Sequence, residues 1–282
     1  MSIERDLAGR NAVVTGANTG IGRITAETLA ARGANVVLAC RSEERTRPIV
    51  DAITSAGGKA RFEALDLSDL ASVRACAARL VANGEPLHLL VNNAGLAGQR
   101  GLTKDGFELT FGTNHLGHFL FTVLLAPLLK KAAPSRIVNV ASVAHYKAKG
   151  IDWDAIKTST RTLTGTPEYA VSKLANVLFA KECARRLGSS GVHSYALHPG
   201  VVASDVWRKV PWPVRPLMKL FMISNEEGAA TTLHCATSPD VADHDGRYYD
   251  SCKERTPSAL AQDEALAKEL WEKSAAMTGA DL

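Results

Sequence analysis

Asn11-Ala12-Val13-Val14-Thr15-Gly16-Ala17-Asn18-Thr19-Gly20-Ile21-Gly22 sets the fold. Asn11–Thr15 is a short apolar run with β-branched residues and predicts a strand. Ile21–Arg32 predicts a helix, and between the two lies a glycine-rich turn. Gly16, Asn18, Thr19, Gly20, Ile21 and Gly22 allow a tight reversal there, and they let the main chain approach a pyrophosphate at a helix N-terminus. A glycine turn alone is an ordinary loop. A strand before it and a helix after it make it a dinucleotide signature.

The same alternation continues outward. Strands are predicted at Asn35–Ala39, Ala60–Ala64, His88–Asn92, Arg136–Ala141 and His193–Leu197. Helices are predicted at Glu43–Ala56, Asp69–Val81, within Phe107–Lys131, and at Tyr169–Leu187. Strand-helix alternation implies a mostly parallel sheet covered on both faces, a doubly wound α/β fold. After a Pro/Trp-rich stretch comes a smaller tail, Glu226–Thr237, Gly246–Tyr249 and Ala259–Met277. No repeat or linker divides the chain, which reads as one Rossmann-type domain over 1–282.

The second strand ends Leu38-Ala39-Cys40-Arg41. Sites for NAD usually place a carboxylate there for the ribose hydroxyls. Arg41 suits a 2′-phosphate instead, which a carboxylate would repel. Arg23 stands just after the last glycine and could assist; the alternative is two surface arginines. NADP(H) is the expected cofactor. Asp66-Leu67 is placed to meet the adenine, although an Asp before a helix also serves as an N-cap. Asn92-Asn93-Ala94-Gly95 closes the fourth strand at its carboxyl end, where such sheets bind ligands.

Tyr169 and Lys173 lie four residues apart on one predicted helical face. A fixed cation beside a phenol lowers its pKa and suits it to acid-base work. Tyr249-Asp250-Ser251-Cys252-Lys253 repeats the spacing, but Gly246–Tyr249 reads as a strand, so that pair shares no helical face. His115 and His118 lack acidic or thiol partners at ligand spacing and read as packing residues rather than metal ligands. His145, close to Ser142, either lines a pocket or lies on the surface.

Composition narrows the rest. Apolar residues are 46% of 282, enough for a sizeable core, and the net charge is only +4. No basic stripe suggests nucleic acid. Five scattered cysteines without CxxC spacing read as reduced thiols in a cytoplasmic protein. The N-terminus is polar, without an apolar signal or anchor, and no window approaches the roughly 18 apolar residues of a membrane span.

Together, TGxxxGIG at Thr15–Gly22, NNAG at Asn92–Gly95, Asn114, Ser142, YxxxK at Tyr169–Lys173 and Pro199-Gly200 resemble the short-chain dehydrogenase/reductase family, in its order and over nearly the whole chain. Thr113–Phe119, Arg136–His145, His198–Val202 and Asp263–Lys268 are similar to the retinol dehydrogenase and WW-domain-containing oxidoreductase subgroup. Ser142 and Tyr169 are separated by 26 residues, and an insertion over about 145–166 matches that subgroup and the light-dependent protochlorophyllide reductases. The polar N-terminus leads to the expectation of a departure, the missing N-terminal anchor of many animal retinol dehydrogenases. The chain also has Ser204 where relatives usually have Thr.

The resemblance implies a set of roles. Tyr169 is general acid in carbonyl reduction and general base in alcohol oxidation. Lys173 lowers its pKa and binds the nicotinamide ribose, Ser142 holds the substrate oxygen, and Asn114 positions a water linking Lys173 to solvent. Gly16, Asn18, Thr19, Gly20, Ile21, Gly22, Arg23, Arg41, Asp66, Leu67, Asn93, Ala94, Gly95, Pro199, Gly200, Val202 and Ser204 would line the cofactor, with Tyr169 and Lys173. Val206–Ile223, with Trp207 and Trp212, would fold over the substrate as a lid (about 203–225), and its apolar bulk suggests a lipophilic aldehyde, ketone or alcohol. The same residues with Arg208, Lys209, Arg215 and Lys219 could instead meet a membrane surface or a second subunit. Family members associate through the Phe107–Lys131 and Tyr169–Leu187 helices, which implies a homodimer or tetramer. A non-catalytic nucleotide sensor or scaffold, and an epimerase or lyase using transient hydride transfer, are the alternatives.

Overall fold

The protein is described by a computed structural model over residues 5–200 and 223–282. Strand and helix alternate along the chain: β1 (Asn11–Thr15), α1 (Gly20–Ala31), β2 (Asn35–Cys40), α2 (Glu43–Ser55), β3 (Lys59–Ala64), α3 (Leu70–Asn83), β4 (Leu89–Asn92), α4 (Leu109–Phe111), α5 (Gly117–Lys131), β5 (Ser135–Val140), α6 (Thr166–Leu187), β6 (Val192–His198), α7 (Asn225–Thr237), β7 (Tyr248–Asp250), β8 (Lys253–Glu254) and α8 (Glu264–Thr278). All strands join one sheet in the order β3-β2-β1-β4-β5-β6-β7-β8. Every pairing is parallel except β7 with β8.

The order reverses between β1 and β4, because the chain runs outward to β3 and then returns to the other side of β1. Helices leave the two strands on opposite faces, and their separation opens a crevice at the carboxyl ends. β1 and β4 are apolar almost throughout because both of their faces are covered. One layer packs α3, α5 and α6 on Val13, Val37, Leu90 and Ile137. The opposite layer packs α1, α2 and α7 on Val14, Leu38, Val91 and Val138. Outside α5 and α6, Trp271 of α8 stacks on Phe179 and meets Phe119 edge-on. Each such fully buried large side chain contributes about 1.5–3 kcal/mol.

Several local expectations are corrected. The helix expected within Phe107–Lys131 is two helices joined by a π-helical turn, Gly112–Leu116, in which the Gly117 N–H bonds the Gly112 carbonyl. Gly117 lies so close to the strand-3 loop that a Cβ there would stand 2.5 Å from the Leu67 oxygen. Asp69, not Asp66, caps α3, accepting from the Ala71 and Ser72 N–H groups. Leu260–Gln262 forms a 3-10 turn ahead of α8, so that helix starts later than the expected Ala259. Strand β8 was not foreseen. Ser251 and Cys252 take φ of 52° and 59°, the left-handed pair of a tight hairpin turn, without the Asn-Gly that usually announces one. Tyr249 and Lys253 therefore sit on either side of a hairpin turn.

Among the described residues, no helix is long and apolar enough to cross a membrane, and no cluster of three or more His, Cys, Asp or Glu could hold a metal. Val202, Ser204, Trp207 and Trp212, with the expected lid through residue 222, lie outside the described residues.

Candidate active site

The carboxyl ends of β1, β4, β5 and β6 converge on the crevice. At its cofactor end, the glycine turn is pressed against the β4 loop. A Cβ on Gly16 would lie 2.9 Å from that of Ala94, and one on Gly22 would lie 2.4 Å from Asn93 Nδ2 and 2.6 Å from the Gly16 carbonyl oxygen. Thr15 locks the two loops. Its Oγ1 accepts from the N–H groups of Asn93 and Ala94 at 3.0 Å each, and its carbonyl accepts from Asn93 Nδ2 at 2.8 Å.

The N-terminus of α1 is left for an anion. Thr19 makes no side-chain cap and the first turn holds no acidic residue. Its first N–H groups thus keep their positive end of the helix dipole uncompensated. With Gly20 at φ +54°, the cradle fits the pyrophosphate of a dinucleotide.

The other expected cofactor contacts divide. Arg41 is exposed and forms no ion pair or hydrogen bond with the described residues. Arg23 donates from Nε to Glu27 at 2.7 Å, so this guanidinium is already engaged. Asp66 Oδ1 accepts from the Ser68 N–H and hydroxyl at 2.9 and 2.6 Å, which shapes the loop that presents Leu67. Gly200, at φ +89°, follows Pro199 off the end of β6; a Cβ there would meet the Ile223 side chain at 2.3 Å.

At the other end, α6 presents Tyr169 and Lys173 together toward Ser142, and the π turn presents Asn114. A Cβ on Gly95 would lie 3.3 Å from Asn114 Oδ1 and 3.5 Å from Lys173 Nζ, so three separate segments meet there. Both Asn114 amide hydrogens are engaged: Nδ2 donates to the Leu96 carbonyl and to Ser172 Oγ, while Oδ1 accepts from the Leu96 N–H. Ser142 Oγ accepts from the Ala144 N–H at 3.2 Å, which leaves its hydroxyl hydrogen to donate.

Lys173 is only 3% exposed, has no carboxylate partner among the described residues, and donates from Nζ to the Val140 carbonyl at 2.8 Å. Burial pulls its pKa down to about 8. The expected lowering of the Tyr169 phenol by this cation is not what the geometry yields. Burial pushes the phenol above its ordinary value, and the neighbouring Ser142 hydroxyl works the other way. The ammonium sits 5.5 Å from the centre of the Tyr169 ring and is turned to the strand carbonyl.

His145 is neither of the two things expected of it. It is fully buried, and both ring nitrogens are bonded within the protein, so it offers no polar atom to a substrate and does not lie on the surface. His118 is packed as expected, but it also bonds Thr15 and Asn114. Its spacing of four from Asn114 on the helix was the available signal.

The short chain dehydrogenase family profile matches residues 10–212. Human retinol dehydrogenase 11 is 43% identical over 97% of this chain and 87% of its own length. Human retinol dehydrogenase 13 is 41% identical over 97% and 86%. A solved structure of an uncharacterized protein from Mycobacterium paratuberculosis superposes with a TM-score of 0.78 at 31% identity, covering 98% of this chain and 95% of the other. The protein belongs to the short-chain dehydrogenase family, in its retinol dehydrogenase-like subgroup. As such it is an oxidoreductase of CH–OH and C=O groups that uses a nicotinamide cofactor.

Proposed function

We propose that the protein transfers hydride between NADP(H) and a lipophilic aldehyde, ketone or alcohol, with Tyr169 as the acid-base group. The observation that carries this reading is the placement of a phenol, a donating hydroxyl and a lone buried ammonium around one end of a dinucleotide cradle. When bound, the cofactor supplies or accepts the hydride at its nicotinamide.

Tyr169 gives its phenolic proton to the substrate oxygen in reduction and takes it back in oxidation, so full negative charge never stands on that oxygen. Ser142 donates its hydroxyl hydrogen to the same oxygen and orients it. Lys173 spends one N–H on Val140 and keeps the others for the ribose hydroxyls and a proton path. With both Asn114 amide hydrogens engaged, a relay water next to Lys173 would donate to an oxygen of Asn114 rather than accept from its side-chain nitrogen.

A phenol whose pKa is raised stays protonated through neutral pH, which favours carbonyl reduction. Its protonated fraction, and with it the reduction rate, falls only as pH rises through the phenol pKa. Retinol dehydrogenase relatives and the apolar residues of 206–222 support a lipophilic substrate.

Arg41 supports the phosphorylated cofactor, being a guanidinium unengaged by the described residues where a ribose-binding carboxylate would otherwise stand. Arg41→Ala is expected to cut the preference for NADPH over NADH by about tenfold to a hundredfold, the loss of a charged hydrogen bond. Fluorescence titration of both nucleotides checks this, and equal preference in wild type and variant removes Arg41 from the account. Screening retinoid, steroid and aryl carbonyls with NADPH tests the substrate class. Wild-type protein that binds NADPH and turns over none of them contradicts it and returns the sensor reading.

A further inference from the structure

Two buried histidines, separate from the proposed proton-transfer groups, share one arrangement. His118 of α5 has Nδ1 at 3.0 Å from the Asn114 carbonyl oxygen and Nε2 at 2.9 Å from Thr15 Oγ1. His145, in the turn after β5, has Nδ1 at 2.7 Å from the Ser142 carbonyl oxygen, while its Nε2 accepts from the Ser258 N–H at 3.1 Å. In each case Nδ1 faces the main-chain oxygen of a residue at the proposed reacting centre.

The partners fix the tautomers. A carbonyl oxygen only accepts, so Nδ1 carries the hydrogen in both rings, and a main-chain N–H only donates, so His145 Nε2 is bare. Thr15 Oγ1 already receives two N–H groups from the β4 loop. Its own hydrogen has two acceptors in reach, His118 Nε2 at 2.9 Å and the Val91 carbonyl at 3.4 Å, and the nearer one is the bare nitrogen of a neutral ring. Burial keeps both rings neutral, holding His118 down to about 4 and lowering His145 as well.

We propose that His118 and His145 are positioning residues for the hydride-transfer site, each a neutral imidazole that fixes one of its carbonyls and ties it to a remote segment. His118 joins Asn114 to the end of β1 and the loop against the glycine turn. His145 joins Ser142 to the chain just before α8, and the neighbouring Tyr146 hydroxyl adds a bond to the Thr256 carbonyl at 2.6 Å. The π turn makes the first clamp useful. Wide turns leave carbonyls without their usual helical partner, and here the side chain four residues on supplies a donor to the Asn114 carbonyl. The second clamp sets the backbone from which the Ser142 hydroxyl projects.

No other side chain reproduces both ends. Asn places an N–H donor near Nδ1 but has no atom at Nε2, and Gln reaches the Nε2 position alone. The inference rests on the oxidoreductase reading, because positioning has meaning only where turnover exists. A displacement of about 1 Å at a reacting group costs up to about a hundredfold in rate.

The test compares His118→Asn, His118→Phe, His145→Asn and His145→Phe, with kcat expressed per folded molecule and KM and the NADPH Kd measured beside it. Both Phe variants are expected to lose about tenfold to a hundredfold in kcat with KM and Kd nearly unchanged, and each Asn variant to recover part of the loss. Unchanged kcat per folded molecule in the Phe variants, or Asn no better than Phe, overturns the proposal. Should the Phe variants not fold, long-range nitrogen-proton NMR of wild type labelled at histidine decides. Two neutral Nδ1–H rings that do not titrate between about pH 6 and 8 are expected, and an Nε2–H ring or a titrating one at either position contradicts the clamp. Wild type lacking turnover altogether sinks the oxidoreductase reading instead, and the NMR result does not depend on it.

Discussion

Tyr169→Phe is expected to lower carbonyl turnover by roughly 10²- to 10⁴-fold, the range of a positioned acid-base group, while NADPH binding stays within about twofold of wild type. The substitution removes one oxygen and keeps the ring that packs beside Lys173. No other phenol can substitute for it. Tyr248 and Tyr249 are buried in β7, Tyr195 is buried and donates to the Val241 carbonyl, and Tyr146 donates to the Thr256 carbonyl. Steady-state rates with NADPH and an aryl aldehyde, together with a nucleotide titration, check both halves. Unchanged turnover would mean that another group moves the proton.

The second large effect combines two opposite signs. Lys173→Met is expected to abolish most turnover yet stabilise the fold at neutral pH. The fall in the Lys173 pKa from 10.5 to about 8 means that its buried charge costs about 3 kcal/mol. A lysine whose folded pKa lies below its unfolded one binds fewer protons in the native state as pH rises from about 8 toward 10.5. Its contribution to stability therefore rises through that window, and below it the full cost of the charge persists. Methionine removes the charge at similar volume. The Val140 carbonyl would not be orphaned, because it also accepts from Asn176 Nδ2 at 3.2 Å. Urea unfolding at pH 7 should show the variant more stable by about 1–3 kcal/mol. A less stable variant would show that the ammonium is held at no net cost, and retained turnover would remove Lys173 from the proposed chemistry.

This opposition also explains which parts of the site were legible in the chain. The glycine turn, the strand ends and the Tyr169–Lys173 pairing depend on residues within a few positions of one another, and short-range rules recover them. Strand edges fell within a residue or two for the same reason: Asn11–Thr15 is apolar, covered on both faces and bounded by the turn. What escaped depends on distant partners. The π turn at Asn114 accompanies close packing of Gly117 on Leu67, a loop some fifty residues earlier. Ser258 reaches His145 across 113 positions, and Thr15 reaches His118 across 103. The direction of the Tyr169 shift was read from spacing, which captures the nearby cation but not the burial that outweighs it. Asp66 and Asp69 are both plausible caps by type, and only the loop geometry chooses between them.

The most direct test of hydride transfer is to follow the hydrogen itself. Wild-type protein incubated with NADPH deuterated at the transferring position of the nicotinamide and a lipophilic aldehyde such as retinal should yield alcohol carrying the label on its carbinol carbon, and Tyr169→Phe should yield almost none. Label absent from the product of every carbonyl tried, although NADPH binds the wild-type protein, would contradict the account.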